Sequence, residues 1–198
     1  KTNQRVLAHS GKQVRPVLAL LTAKACSGGF VTEETIHFAA AAELIHNATL
    51  LHDDVADNSP VRRGEPTVMS LLGGRASVLL GDYWLVKGIE SVLSVNTFSG
   101  KVIRIFSNTL SDLAEGELLQ LQKADTCDAT ESDYYRIIYN KTASLFVASA
   151  NTAAISVSAS DEKRKAAKLY AECLGIAFQI KDDIFDYEGG DLTGKPSG

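Results

Sequence analysis

Apolar residues recur at every third or fourth position along most of the chain, and this spacing predicts helices with buried faces. Thr32 is a favoured N-cap, and Glu33 and Glu34 suit the positive end of a helix dipole. Alternating strand patterns are lacking, so the sequence predicts an all-α protein whose residues 1–198 form a single domain, expected to be incomplete at both ends. The predicted helices cover residues 17–25, 35–51, a short segment from 66, and then 76–95, 101–122, 130–158 and 161–180.

The helix predicted over 35–51 leads directly into three carboxylates, Asp53, Asp54 and Asp57. Asp53 and Asp57 are spaced i and i+4, so they share one face if the helix continues. Carboxylates grouped at the end of an apolar helix repel one another, and a divalent cation removes that repulsion. Mg²⁺ takes oxygen ligands, commonly one or two carboxylates together with substrate phosphates. The cluster therefore predicts a metal site.

The same acidic pattern returns after the last predicted helix. Asp182, Asp183 and Asp186 repeat the Asp-Asp-x-x-Asp spacing behind an apolar stretch. One such triplet could be a solvated helix end. Two triplets in matching contexts indicate instead that each brings metal to one shared polyphosphate.

Basic residues stand near the predicted metal ligands. Lys12 and Arg15 precede a helix N-terminus, where backbone amides favour anions, although solvated charges are the alternative. Arg62 and Arg63 form an adjacent pair before a glycine. They could be ion-pair partners of the nearby carboxylates, but adjacent guanidiniums also suit gripping two separate phosphate groups. Lys141, within a helix of small apolar residues, calls for an anionic partner, which could be an ordinary salt bridge.

Composition narrows the class of function. The chain has 45% hydrophobic and 22% charged residues and a net charge of −4, which is typical of a globular protein and does not suggest nucleic-acid binding. The three cysteines are widely spaced without a metal-ligand pattern, so we expect reduced thiols and a cytoplasmic location. No apolar run is long enough to predict a transmembrane segment.

These motifs, taken together, resemble those of the trans-isoprenyl diphosphate synthases, the polyprenyl synthetase family. The resemblance extends over essentially the whole chain, and its motifs occur in order with sensible spacing. The matching pieces are Gly11-Lys12-x-x-Arg15-Pro16, His46, Leu51-His52-Asp53-Asp54-x-x-Asp57, Arg62-Arg63-Gly64, Lys141-Thr142 and Phe178-Gln179-x-x-Asp182-Asp183-x-x-Asp186.

The resemblance implies a fold and a reaction. The fold is the isoprenoid synthase helical bundle around a central cavity, of which the C-terminal helices are expected to be absent from this chain. The reaction is head-to-tail condensation of isopentenyl diphosphate with an allylic diphosphate. The six aspartates of the two triplets would hold Mg²⁺, with three ions expected when diphosphate is bound.

The resemblance also implies roles for the basic and polar residues. Contacts to the allylic diphosphate would come from Arg62, Lys141, Thr142, Gln179 and Lys195. Isopentenyl diphosphate would be bound by Lys12, Arg15, His46 and Arg63. The residues expected to take part directly in catalysis are Asp53, Asp54, Asp57, Arg62, Lys141 and Asp182.

The chemistry of this reaction explains the residue types. Cleavage of the carbon–oxygen bond leaves diphosphate, whose growing charge is neutralised by Mg²⁺, Arg and Lys. The allylic cation must meet the isopentenyl double bond in a dry pocket. The departing diphosphate can take the final proton, so no His or Cys base is required.

Product length depends on the floor of that pocket. Ala48 and Thr49, one turn before the first triplet, are both small, and the deeper Ile45 and Ala41 would also leave room. In the family an aromatic residue here marks short products. The sequence therefore predicts a long-chain product of about C30 to C50, of the kind used for quinone side chains.

Other readings remain open at this stage. The protein could be a farnesyl- or geranylgeranyl-type synthase, with its floor set by other helices. It could also be a non-catalytic partner subunit of a prenyl synthase, although none of the motif residues is lost. A class I terpene cyclase is disfavoured because the second triplet repeats the aspartates. A homodimer through helices 76–95 and 101–121 is expected by resemblance, and their excess apolar surface agrees with it.

Overall fold

The computed structural model describes residues 11–187, apart from the side chain of Asp186. Lys195, a predicted contact to the allylic diphosphate, therefore lies outside the described residues. The side chain of Asp186, a predicted metal ligand, lies outside them as well.

The described chain is helical, and the predicted all-α class is confirmed. A π-helical segment, which we call the π turn, joins two of its helices. In chain order the elements are α1 (Val14–Ser27), α2 (Glu33–Ala56), β1 (Val61–Arg62), β2 (Glu65–Pro66), α3 (Val68–Leu72), α4 (Gly74–Leu93), α5 (Ser99–Thr126), α6 (Glu131–Ile138), the π turn (Tyr139–Ala143), α7 (Ser144–Ser156) and α8 (Asp161–Tyr187).

The structure differs from the predicted elements in three places. Helix α2 does not end at Leu51 but runs through the first acidic triplet to Ala56. The residues after Pro60, for which no strand was predicted, form an antiparallel hairpin of two-residue strands, β1 and β2. The single helix expected over 130–158 is interrupted by the π turn, in which Ser144 donates its N–H to the oxygen of Tyr139. A π-helical turn contains one residue more than an α-helical turn, and this barely changes the spacing of apolar residues. The sequence pattern therefore did not predict the interruption.

The start of α2 follows the predicted capping. Thr32 accepts a hydrogen bond from the Thr35 N–H, and the Thr35 hydroxyl accepts one in return from the Thr32 N–H, 3.1 Å away. This reciprocal capping box satisfies two amides that the first helical turn would otherwise leave without a partner. Thr35 also exchanges a 2.6 Å hydrogen bond with Ser156, which ties the start of α2 to the end of α7.

Helix α2 lies at the centre of the bundle, against α1, α4 and α7. Phe38 and Ile45 on α2 are buried in the main hydrophobic cluster, with Val92 of α4, Phe106 of α5 and Leu145 of α7. Since the apolar face of α2 is held from three sides, the carboxylates at its end are carried by a firmly packed helix.

Every residue of α7 is buried, including its serines and threonines. Their hydroxyls are satisfied inside the helix. Ser149 donates to the oxygen of Leu145 at 2.7 Å, and Thr152 donates to the oxygen of Ala148 at 2.8 Å. Such bonds to the preceding turn allow polar side chains in a buried helix without an orphaned donor. None of the helices within residues 11–187 is long and apolar enough to cross a membrane.

We expect Phe38→Ala to lower the free energy of unfolding by about 3–5 kcal/mol, because it leaves a cavity in the main cluster. Urea unfolding measures this loss. Ile36→Ala on the same helix is the control, since Ile36 is 55% exposed, and it should change stability by only about 0.5 kcal/mol. Equal losses for the two variants would contradict the central position of α2.

Candidate active site

The first acidic triplet sits at the C-terminal end of α2. The helix contains Asp53 and Asp54, and Asp57 caps it by donating its N–H to the oxygen of Asp53 at 2.8 Å. Asp53 and Asp57 are therefore one turn apart on the same face, as the spacing predicts.

Asp53 occupies an environment that disfavours its negative charge. Burial raises the pKa of its carboxyl to about 6; Glu117 and Asp57 add to the rise, while Lys141 and Arg62 oppose it. Glu117 lies on α5 and Lys141 on the π turn, so the first triplet faces both elements. A divalent cation would offset the desolvation and the repulsion together, and carboxylate oxygen is the donor that hard cations prefer. Asp53 therefore fits a metal-ligand role.

Asp54 points away from this face. It is only 4% exposed, and the Nε of Arg62 donates to its Oδ1 at 2.7 Å. The three carboxylates are thus not equivalent, and the alternative interpretation of Arg62 as an ion-pair partner of a nearby carboxylate is confirmed. The ion pair joins the end of α2 to strand β1, and it fixes the position of the Arg62 guanidinium.

The π turn carries two of the predicted site residues in different directions. Lys141 reaches α5, where its Nζ lies 2.6 Å from Glu117 Oε2 and 2.8 Å from Gln120 Oε1. Thr142 reaches α8 and donates to Gln179 Oε1 at 2.6 Å. The anionic partner expected for Lys141 is therefore Glu117, which also acts on Asp53.

Two glycines allow the π turn to approach its neighbouring helices. A Cβ added to Gly116 of α5 would lie 2.7 Å from the Asn140 Cβ and 3.0 Å from the backbone nitrogen of Lys141. A Cβ added to Gly175 of α8 would lie 2.6 Å from the Ala143 Cα. The shortest distance at each position is too short for a real Cβ contact. A side chain at either position would therefore push its helix away from the π turn.

The second acidic triplet is tied to the π turn through Gln179. Besides accepting from Thr142, Gln179 donates its Nε2 to Asp183 Oδ1 at 2.8 Å. The other oxygen of Asp183 accepts a 2.6 Å hydrogen bond from the Tyr134 hydroxyl of α6. Burial, with a further contribution from Asp183, raises the pKa of Tyr134 to about 12, so the phenol stays protonated and donates.

The two triplets share one pattern. The second aspartate of each, Asp54 and Asp183, is hydrogen-bonded to a side chain of the protein, Arg62 in one and Tyr134 and Gln179 in the other. The resemblance implies six metal ligands, and this stays a prediction. In the first triplet Asp53 and Asp57 share the face that meets Glu117 and Lys141, whereas the side chain of Asp186 lies outside the described residues. Within residues 11–187, no three His, Cys, Asp or Glu side chains converge closely enough to hold an ion by themselves.

A basic pocket forms where α1, α2 and the hairpin meet. Burial, together with the charges of Arg15, Arg63 and Arg62, lowers the pKa of His46 to about 2, so the imidazole is neutral at physiological pH. Arg15 is buried and its guanidinium lies over the Phe146 ring, 4.8 Å from the centroid. Burial lowers its pKa to about 10. The predicted grouping of Arg15, His46 and Arg63 is therefore present.

Glu43 is a buried carboxylate within the same pocket. Burial raises its pKa, and Arg15 is the first of the groups that oppose the rise. In the part of the chain that the structure describes, Arg15 Nε and Glu43 Oε2 are both buried without a hydrogen-bond partner. Such orphaned polar atoms are costly in a protein interior, and they identify a site with unused hydrogen-bonding capacity.

The loop before α1 completes this pocket. Lys12 is exposed, and Gly11 lies directly against the Arg63 guanidinium, where any Cβ would overlap that group. Gly11 also has a φ of 59°, in the left-handed region that favours glycine. The adjacent arginines of the hairpin therefore diverge, with Arg62 directed to Asp54 and Arg63 to Gly11 and the basic pocket.

The two predicted chain-length positions have larger neighbours than the sequence indicated. Ala48 is 1% exposed and packs with Leu51 and Trp84. Thr49 is half-buried and donates to the oxygen of His46 at 2.8 Å. Small side chains at these positions do not by themselves leave an open floor, because an indole from α4 fills the space beside Ala48.

The deeper positions on α2 are also enclosed. Ile45 and Ala41 were expected to leave room, but both are buried in the main cluster beside Phe38, Phe106 and Leu145. The prediction of an open floor stays a prediction, and the pattern of one helix carries no information on the bulk that other helices supply.

Sequence reasoning missed several residues that shape the site. Tyr134 and Glu43 had no motif to identify them, since their partners are distant in sequence or on another helix. Glu117 and Gln120 lie on α5, and the structure shows that both contact Lys141. Gly116, between acidic residues, carried a signal only as a glycine inside a predicted helix.

Comparisons with known proteins match the chain to one family. The family model described as polyprenyl synthetase matches residues 1–198. The chain is 40% identical over 194 residues to an octaprenyl diphosphate synthase of Escherichia coli, covering 98% of this chain and 59% of that protein. It is 36% identical over 187 residues to a geranylfarnesyl diphosphate synthase of Methanosarcina mazei, covering 94% and 61% respectively.

A solved structure gives the same result. The crystal structure of a decaprenyl diphosphate synthase from Rhodobacter capsulatus matches with a TM-score of 0.86 at 40% identity, covering 98% of this chain and 59% of that one. The chain therefore spans 59% to 61% of the length of these relatives.

We expect Gly116→Ala to lower the free energy of unfolding by about 1–3 kcal/mol, because the new methyl group overpacks the contact with the π turn. Gly100→Ala is the matched control on the same helix, since a Cβ there meets nothing within 4 Å. It should be neutral or stabilising by up to about 1 kcal/mol. Urea unfolding compares the two, and similar values would show that the π turn does not need Gly116.

Proposed function

The chain belongs to the polyprenyl synthetase family, and from that premise we propose that it catalyses Mg²⁺-dependent condensation of isopentenyl diphosphate with an allylic diphosphate. One observation carries this proposal. The π turn lies between the two acidic triplets, with Lys141 acting on Asp53 of the first and Thr142 bonded to Gln179 beside the second. A single diphosphate bound at Lys141 would meet carboxylate-held cations on both sides.

In this proposal the outer aspartates hold the ions. Asp53, Asp57 and Asp182, with Asp186, would ligate Mg²⁺, and three ions would be held once diphosphate is bound. When bound, the ions neutralise the charge that develops on the diphosphate as the carbon–oxygen bond breaks. Asp54 supports them indirectly by fixing Arg62, since a charge-assisted hydrogen bond restrains the guanidinium.

Side chains of the chain itself provide the rest of the allylic diphosphate site. Lys141 and Arg62 bring positive charge to the departing diphosphate, and Lys195, outside the described residues, would add a third. Preorganised cations stabilise charge that appears only in the transition state. Thr142 and the Gln179 carbonyl lie beside Lys141, where their oxygens face the forming allylic cation.

The basic pocket would bind the second substrate. Arg15, Arg63 and Lys12 supply positive charge for isopentenyl diphosphate, and the orphaned Nε of Arg15 offers a donor to a phosphate oxygen. Neutral His46 can donate a hydrogen bond without adding charge. No side chain need act as the base, because the diphosphate released from the allylic substrate can accept the last proton.

We assign a long-chain product to this site. The octaprenyl and decaprenyl synthases that the chain resembles support this assignment. The alternative is a shorter product. The enclosed surroundings of Ala48 and Ile45 favour it, as does the similarity to a geranylfarnesyl diphosphate synthase. Thr49 lies one turn after Ile45 on the same helix face, so the growing chain would pass Thr49 and meet Ile45, Phe106 and Leu145.

A homodimer is part of the proposal. Helix α4 exposes an apolar stripe that includes Leu79 (68%), Tyr83 (48%), Val86 (50%) and Leu93 (57%). Residues at these spacings share one helix face, and a stripe of this kind is typical of an interface. A second copy would cover it. A cytoplasmic location is proposed with it, in keeping with the three free cysteines.

We expect the intact protein with Mg²⁺, radiolabelled isopentenyl diphosphate and farnesyl diphosphate to form an extended prenyl diphosphate, and chelation by EDTA to abolish product. Lys141→Ala should lower turnover by about 10²-fold, because it removes a cation from the developing diphosphate charge. Lys101→Ala, an exposed lysine on α5, should leave turnover unchanged. No product from any allylic primer, in a folded dimer, would favour the non-catalytic partner subunit instead.

We expect product length to respond to the face that carries Thr49. Thr49→Phe should shorten the product, because it blocks the path one turn above Ile45. Phe106→Leu should lengthen it by removing bulk from the floor while keeping an apolar core. Chromatography of the dephosphorylated products measures both effects. Unchanged product length in both variants would place the growing chain elsewhere.

A further inference from the structure

The hydrogen bonds that end at Thr142 of the π turn begin at Tyr134 of α6, eight residues earlier in the chain. Tyr134 donates to Asp183 Oδ2 at 2.6 Å, and Asp183 Oδ1 accepts from Gln179 Nε2 at 2.8 Å. Gln179 Oε1 accepts from Thr142 at 2.6 Å. The chain of contacts is continuous and short at every step. No motif of the sequence includes Tyr134.

We propose that Tyr134 is a positioning residue that orients the Gln179 side chain through Asp183; the proposal rests on the function proposed above. An ionised carboxylate only accepts hydrogen bonds, so it requires a donor at each oxygen. Tyr134 supplies one donor and the Gln179 amide supplies the other. With Asp183 held from α6, the amide nitrogen of Gln179 must face Asp183.

The orientation of the Gln179 amide decides whether its carbonyl oxygen or its nitrogen faces the π turn. A glutamine amide has a donor end and an acceptor end, and rotation by half a turn exchanges them. While Asp183 binds the nitrogen, the carbonyl oxygen faces Thr142 and the π turn. That oxygen carries the partial negative charge that suits a neighbouring allylic cation. A rotated amide would present N–H donors to the cation, which would be repulsive.

The fold makes this tether stiff. Helix α6 begins with a capping box in which Asp133, directly before Tyr134, accepts from Thr130 at 3.0 Å. The same helix runs directly into the π turn. Helix α8 is thus held at two levels, to α6 by Tyr134 and Asp183 and to the π turn by Thr142 and Gln179. Two contacts one above the other fix the rotation of α8 relative to the turn.

The alternative is that the contact of Tyr134 with Asp183 only stabilises the packing of α6 against α8, and kinetic measurements distinguish the two roles. A purely structural contact would affect stability and the binding of both substrates together. A positioning residue for Gln179 affects the step in which the cation forms. It should therefore change kcat and leave KM for isopentenyl diphosphate and the Mg²⁺ dependence unchanged, since the basic pocket and the outer aspartates are untouched.

The test is Tyr134→Phe in the intact protein, which removes only the hydroxyl. Tyr135→Phe is the matched control, because Tyr135 is the adjacent residue, 45% exposed and edge-on to the Tyr134 ring. We expect kcat to fall about tenfold in Tyr134→Phe, equivalent to about 1.4 kcal/mol. We expect Tyr135→Phe to match the wild type, and the melting temperatures of all three proteins to be close.

A double-mutant cycle with Gln179→Leu tests the route. If Tyr134 acts through the Gln179 amide, the tyrosine substitution should cost little more once the amide is gone. Additive effects in the double variant would overturn the proposal. So would a wild-type kcat in Tyr134→Phe, or a loss confined to the Mg²⁺ dependence. A wild-type protein without prenyl transfer would refute the proposed function itself, which is measured first and separately.

Discussion

The close docking of the π turn between α5 and α8 is the constraint on which the rest of the site depends. The turn directs Lys141 to Glu117 on one side and Thr142 to Gln179 on the other. Both contacts are made by short side chains or short ion pairs, so neither helix can move outward without losing one. Glycines at 116 and 175 are what bring both helices close enough.

The electrostatics of the site leave both signs of charge unsatisfied. Burial raises the pKa of Asp53 to about 6 and lowers the pKa of Arg15 to about 10, so each group is shifted toward its neutral form. In the proposed function, two different ligands would relieve them. Divalent cations held with the allylic diphosphate would offset the charge of Asp53, and the phosphates of isopentenyl diphosphate would offset the charge of Arg15. The packing that stabilises α2 thus also buries charged groups that a bound ligand would stabilise.

The acidic motifs divide their work by position within each triplet. Asp54 and Asp183 are held by hydrogen bonds from the protein and in turn orient Arg62 and Gln179. In the first triplet, Asp53 and Asp57 lie on the face that meets Glu117 and Lys141. A carboxylate that restrains a neighbouring side chain is as necessary as one that binds an ion, since a site misplaced by a small distance loses much of its preorganisation. The second aspartate of each triplet, on α2 and on α8, has this restraining role.

The sequence by itself determined the helical class and the pairing of Asp53 with Asp57 on one face. Both follow from local spacing, which a linear pattern records. The grouping of Arg15, His46 and Arg63 was implied by the resemblance to the family. Only the tertiary structure decided that Asp54 pairs with Arg62, that Tyr134 reaches Asp183 across 49 residues, and that Trp84 fills the space beside Ala48. Each of these depends on how two helices approach one another. Helix approach is set by packing of side chains from distant segments, so no single stretch of sequence contains it.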